Sequence, residues 1–125
     1  MSKPKILIVD DNDALCSLLS TMLYTSNVEV ESVHTLAEAN VHLHNGLSHS
    51  LIFLDNILPD GVGIDFLPIL RTMNPKAEIV MMAGDYDETL RQKAKSLGCM
   101  DFLEKPFSYL KVSELVERVL KNTSS

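Results

Sequence analysis

The sequence predicts an α/β domain in which helices cover both faces of a doubly wound, five-stranded parallel sheet. Two observations predict it. Five short apolar runs, mostly rich in β-branched residues, alternate strictly with segments of helical periodicity, and strict alternation calls for right-handed crossovers between parallel strands. The 125 residues suffice for one core and are too few to divide comfortably into two.

The runs are residues 6–9 (ILIV), 28–33 (VEVESV), 51–54 (LIFL), 79–82 (IVMM) and 102–103 (FL), read as strands buried on both faces. After the first run, Leu15, Leu18, Leu19, Met22 and Leu23 form a helical stripe, and Val112, Leu115, Val116, Val119 and Leu120 form another near the end. Leu67, Leu70 and Met73 mark a helix over 64–73. Leu90, Ala94 and Leu97 mark a shorter one closed by Gly98. The segment 36–43 has the weakest helical pattern, because His42, His44 and Asn45 dilute it. The domain is read as residues 1–121, with 122–125 as an unstructured polar tail or the stump of a linker.

Composition narrows the function classes. With 46% hydrophobic and 22% charged residues and only 5 Gly and 5 Pro, the chain is neither disordered nor a fibrous repeat. A net charge of −6 and pI near 5.1 argue against a surface that holds nucleic acid by neutralising phosphates. No stretch has the length of a membrane span or the pattern of a signal peptide, so the cytoplasm is the expected compartment. Cys16 and Cys99 lack the spacing of a zinc site or redox pair and are read as reduced, small hydrophobes. His34, His42, His44 and His49 are read as solvated, with no metal role, since the His42/His44 spacing does not share a helix face.

In an open α/β sheet, ligands bind beyond the carboxyl ends of the strands. There the first run is followed by Asp10 and Asp11, the third by Asp55, and the fifth, after Glu104, by Lys105. Gathered together, three carboxylates repel and call for a cation. Hard oxygens without nearby Cys or His favour Mg²⁺, and Lys105 supplies a compact charge for an anion. Such a set suits phosphoryl transfer to a nucleophilic oxygen. Taken singly, Asp10 and Asp11 also suit helix caps, and Asp55 suits a turn ahead of Pro59, Asp60 and Gly61.

Three blocks, KILIVDDN (5–12), LIFLDNILPDGVGIDFL (51–67) and DFLEKPF (101–107), resemble the response-regulator receiver domains in order and separation across nearly the whole chain. The resemblance implies the flavodoxin-like strand order 2-1-3-4-5 and a cis Lys105–Pro106 peptide that aims the lysine inward. It implies Asp55 as phosphoacceptor, Asp11 as a direct Mg²⁺ ligand and Asp10 as a ligand through water. The Ile57 backbone carbonyl would complete the protein's metal ligands, and Lys105 would contact the phosphoryl group. The chain is then a regulatory phosphoacceptor that assists its own phosphorylation and dephosphorylation, rather than an enzyme acting on other substrates. Its implied partners are a histidine kinase or phosphotransfer protein and an output protein or domain. Dimerisation through the face of the fourth and fifth helices is compatible with the residues and is not specified by them.

The sequence departs from the family at the end of the fourth run, where Ala83 stands in place of the usual Thr or Ser. A hydrogen bond to a charged group is worth about 1.5–3 kcal/mol, so its absence is expected to weaken the active conformation unless the backbone of Gly84 and Asp85 donates instead. Phe102 would be the aromatic residue that turns inward behind that position. The alternative is a receiver-fold interaction module that binds partners without phosphorylation. An aspartyl-nucleophile phosphatase fits less well, since no segment remains for a substrate lid.

Overall fold

The computed structural model describes residues 3–44, 48–85 and 87–123. Five strands, β1 (Lys5–Val9), β2 (Glu29–Val33), β3 (Leu51–Asp55), β6 (Glu78–Ala83) and β7 (Asp101–Glu104), form one parallel sheet in the order β2-β1-β3-β6-β7. Counted among these five strands alone, this is the order 2-1-3-4-5. A two-residue hairpin, β4 (Ile57–Leu58) and β5 (Gly61–Val62), turns at Pro59 and Asp60.

Strand alternation divides the core in two. Leu7, Val9, Ile52, Leu54, Ile79 and Met81 face α2 (Leu36–Leu43), α3 (Gly63–Met73) and α4 (Glu88–Ser96). Ile6, Ile8, Leu51, Phe53, Val80 and Met82 face α1 (Asp13–Leu23) and α5 (Tyr109–Thr123). Burial on both faces keeps β3 inaccessible along its length, as a central parallel strand requires. The edge strand β2 differs: only Val33 is buried, because β2 has one neighbour and its polar residues Glu29, Glu31 and Ser32 meet solvent at the margin.

The helices start where side chains satisfy their free N–H groups. Asn12 accepts from Leu15 N at 3.1 Å, Asp87 from Leu90 N at 3.2 Å, and Ser108 from Lys111 N at 3.1 Å. At α2, Thr35 caps the helix by accepting from Glu38 N at 3.0 Å, while Glu38 accepts from the preceding His34 N at 3.1 Å, local bonds that support a helix with a diluted apolar stripe. Gly98, at φ 97°, closes α4 as expected.

Three expectations are corrected. Leu18 is 50% exposed. The buried residues of α1 are Cys16, Leu19 and Leu23, and Leu18 lies about 100° round the helix from Leu19. The last helix runs to Thr123, two residues into the segment read as tail, and residues 124–125 lie outside those described, as does Asn45. His49 is buried rather than solvated. Both cysteines are free. No helix among the described residues is long and apolar enough to cross a membrane.

Candidate functional site

The parallel register brings the ends of β1, β3 and β7 to one side of the sheet, and the sequence places Asp10, Asp55 and Lys105 at or just beyond those ends. Lys105 Nζ donates to Asp10 Oδ2 at 2.8 Å and to Asp55 Oδ1 at 3.1 Å. Asp10 is fully buried and Asp55 is 6% exposed, whereas Asp11 is exposed at the rim. Carboxylate oxygens of all three aspartates lie within 4.8 Å of one another. The residues that the sequence placed together are therefore together. Capping of α1 falls to Asn12, which frees Asp10 and Asp11 from that role.

Local backbone contacts fix the two buried carboxylates. Asp10 N donates to Val33 O at 3.0 Å, and Asp10 Oδ1 accepts from Asn12 N at 2.9 Å. Beyond Asp55, Asn56 N donates to Met82 O at 3.1 Å, and Asn56 Oδ1 accepts from Ile64 N at 3.1 Å, tying β3 to the start of α3. Gly63 N donates to Asn56 O at 2.6 Å. A Cβ on Gly63 would collide with the Asp55 carbonyl oxygen, so the close approach of α3 requires glycine. Lys105 N donates to Ala83 O at 2.8 Å, and the Lys105–Pro106 peptide is cis.

The charges shift one another in interpretable directions. Burial, reinforced by the charge on Asp10, pushes the Asp55 carboxyl above its ordinary value against the pull of Lys105. Burial alone would lower Lys105, but its bonds to Asp10 and Asp55 outweigh that and raise it. Cys16, whose thiol donates to Asp10 O at 3.4 Å, is raised by burial and then by Asp10.

The donor set fits Mg²⁺. Octahedral coordination at about 2.1 Å puts ligand oxygens about 3–4.2 Å apart, which the 4.8 Å envelope approaches with small side-chain adjustments. Three carboxylates against one ammonium leave an excess of negative charge that a hard cation suits. Ile57, Ala83, Gly84 and Asp85 line the same cavity as Asp55 and Lys105. Phe102 lies elsewhere on β7, half-buried, with its side chain packed against the core on the α4 side and lining a shallow cavity with Arg91, Ala94 and Lys95.

Sequence reasoning missed Asn56, Gly63 and Asp60. Asp60 Oδ1 and Oδ2 accept from Leu36 N and Ala37 N, each at 2.9 Å, pinning the start of α2 to the hairpin beside the site. The sequence DGVGID carried a signal for Gly63, a glycine opening a helix after a strand. Nothing local marked Asp60, whose partners lie more than 20 residues away.

The sequence matches the family model described as response regulator receiver domain over residues 6–119. It is 34% identical over 93% of its length to the phosphate regulon transcriptional regulatory protein PhoB of Rhizobium meliloti, spanning 50% of that protein. To the hybrid signal transduction histidine kinase L of Dictyostelium discoideum it is 30% identical over 94% of the chain, spanning 7% of that protein. The fold superposes on a two-component response regulator from Clostridium difficile with a TM-score of 0.89 at 26% identity, covering 98% of this chain and all of that one.

Proposed function

The chain belongs to the response-regulator receiver domains, and from that premise we propose that it is a phosphorylation-dependent signalling switch in which Asp55 accepts a phosphoryl group. The observation that carries this reading is the single ammonium of Lys105 bonded to two buried carboxylates at the strand ends.

A carboxylate oxygen of Asp55 attacks phosphorus. A P–O bond forms, the P–N bond to the donor's imidazole breaks, and the electron pair leaves with that imidazole. Lys105, freed from Asp55 as the carboxylate becomes an acyl phosphate, pairs with a phosphoryl oxygen while remaining bonded to Asp10. Asp10, Asp11, Asp55 and the Ile57 carbonyl would hold Mg²⁺, whose charge offsets the negative charge gathered on the phosphoryl oxygens. The donor is a histidine kinase or phosphotransfer protein of the cytoplasm. The reader of the phosphorylated state is an output protein or an attached domain, since the chain spans only part of the curated relatives above.

A second reading, a partner-binding module that works without phosphate, draws on Ala83. A methyl group there cannot bond a phosphoryl oxygen, so coupling would fall to the backbone of Gly84 and Asp85.

Incubation with Mg²⁺ and a small acyl-phosphate donor tests both. The wild type should gain one phosphoryl group by intact mass, and Asp55→Asn should gain none. A labelled Asp55→Asn protein would identify another nucleophile. An unlabelled wild type that still binds Mg²⁺ would favour the module.

A further inference from the structure

Away from the acidic pocket, β2, α2 and the segment leading into β3 bring Glu31, His42 and His49 together. A ligand atom from each lies within 4.8 Å of the other two. His42 Nε2 stands 3.4 Å and His49 Nε2 3.7 Å from the Glu31 carboxylate oxygens, and the two imidazole centroids are 5.3 Å apart. The His49 side chain has no exposed surface, yet both of its ring nitrogens lack a hydrogen-bond partner among the described residues. The same is true of His42 Nε2 and Glu31 Oε1.

We propose that Glu31, His42 and His49 form a zinc site, built by three protein ligands and completed by water. Buried polar atoms are ordinarily satisfied, and one unsatisfied atom from each of the three side chains, Glu31 Oε1, His42 Nε2 and a single ring nitrogen of His49, can be satisfied by one multivalent partner. Tetrahedral zinc, with bonds of about 2.0–2.2 Å, sets neighbouring donors about 3.3–3.6 Å apart; the His42–Glu31 separation of 3.4 Å falls in that range, and the His49–Glu31 separation of 3.7 Å, to the other carboxylate oxygen, lies just above it. Two borderline imidazoles beside one carboxylate suit zinc, where the all-oxygen pocket suits magnesium.

A histidinium–carboxylate pair is the ordinary competing explanation, and the surroundings disfavour it. Neither His–Glu contact, at 3.4 and 3.7 Å, has the geometry of a hydrogen bond, and burial, then the neighbouring His42, holds His49 below its ordinary value against the pull of Glu31. Glu31 and His42 are only partly covered as residues, while the atoms that would bind the metal are buried.

The site clamps the carboxyl end of α2 to β2 and to the entry of β3. That end of the sheet is opposite Asp55, because His49 precedes β3 and Asp55 ends it. Zinc binding therefore does not rest on the phosphoacceptor reading.

The 125-residue chain is titrated with Zn²⁺ by calorimetry in millimolar Mg²⁺, which occupies the acidic pocket. One equivalent should bind and raise Tm. The imidazole resonances of His42 and His49 should move, while those of His34 and His44 stay in place. His42→Gln and Glu31→Gln should each weaken zinc at least about a hundredfold, beyond the 10–100-fold typical of losing an outer-sphere partner. Because His42 is half-buried and Glu31 partly exposed, these variants carry the test even where His49→Gln fails to fold. Zinc affinity unchanged in both variants, absence of binding, or loss of the binding in Asp55→Asn instead, would overturn the proposal.

Discussion

At the carboxyl end of the sheet, Lys105 donates to both Asp10 and Asp55, whereas toward the amino end Glu31, His42 and His49 approach one another without a hydrogen bond among them. The first cluster carries its own counter-charge. In the second no lysine bonds the carboxylate, and its most buried member is an imidazole whose charged form burial disfavours. The difference teaches that burial of titratable groups has two physical outcomes in one small domain: an internal ion pair where a lysine bonds the carboxylates, and a set of converging donors without a hydrogen-bond partner where none does. The helix α2 joins the two regions, its start held by Asp60 and its last turn carrying His42.

Lys105→Ala should separate the two regions most sharply. It leaves two buried carboxylates facing each other, and breaking such a pair costs about 3 kcal/mol, the lower part of the usual range because 23% of the lysine side chain is exposed. Urea denaturation without Mg²⁺ should show that loss, and millimolar Mg²⁺ should restore part of it. His42→Gln, whose Nε2 has no hydrogen-bond partner among the described residues, should leave metal-free stability nearly unchanged. Equal losses in the two variants would erase the distinction drawn between the clusters.

A smaller effect is expected from Gly63→Ala. Its new methyl group meets the Asp55 carbonyl oxygen, and overpacking of this kind costs about 2 kcal/mol. The shift falls on the strand end that presents Asp55, the proposed phosphoacceptor, so phosphate uptake should slow along with the fall in the urea midpoint. A variant of unchanged stability and uptake would show that α3 yields without disturbing β3.

The smallest effect concerns α2 and depends on pH. The bonds from Leu36 N, then Ala37 N, hold Asp60 below its ordinary carboxylate value of 3.8. A folded value below the unfolded one means stability present above pH 3.8 and lost as pH falls through the lower folded value. Asp60→Ala should therefore lower Tm near neutrality, with the difference from wild type shrinking in acid. A difference independent of pH would assign the effect to the hairpin rather than to the carboxylate.

Much of this molecule was legible in the amino-acid order. The apolar runs and helical stripes are local periodicities, and burying one face fixes them whatever lies across the sheet. The acidic pocket was legible for a related reason: parallel strands put all their carboxyl ends on one side, so a residue's place after a run sets the end of the sheet it occupies, and the resemblance supplied the strand order that brings those ends together. Leu18 misled because five apolar residues spread round α1 further than the buried arc reaches. His42 and His49 misled because only the spacing of His42 and His44 along one helix was weighed, while His42 meets His49 from another part of the chain.

The sequence by itself determined the alternation of elements, the two-sided core and the cluster of Asp10, Asp55 and Lys105, since each follows from spacing along the chain or position at a strand end. Only the tertiary structure decided that Glu31, His42 and His49 share a point, that Asp60 reaches α2, and that β2 lies at the margin with polar residues meeting solvent. Those contacts join elements whose separation in sequence carries no period. They are fixed by how the helices dock on the sheet, which depends on the shape of the whole core.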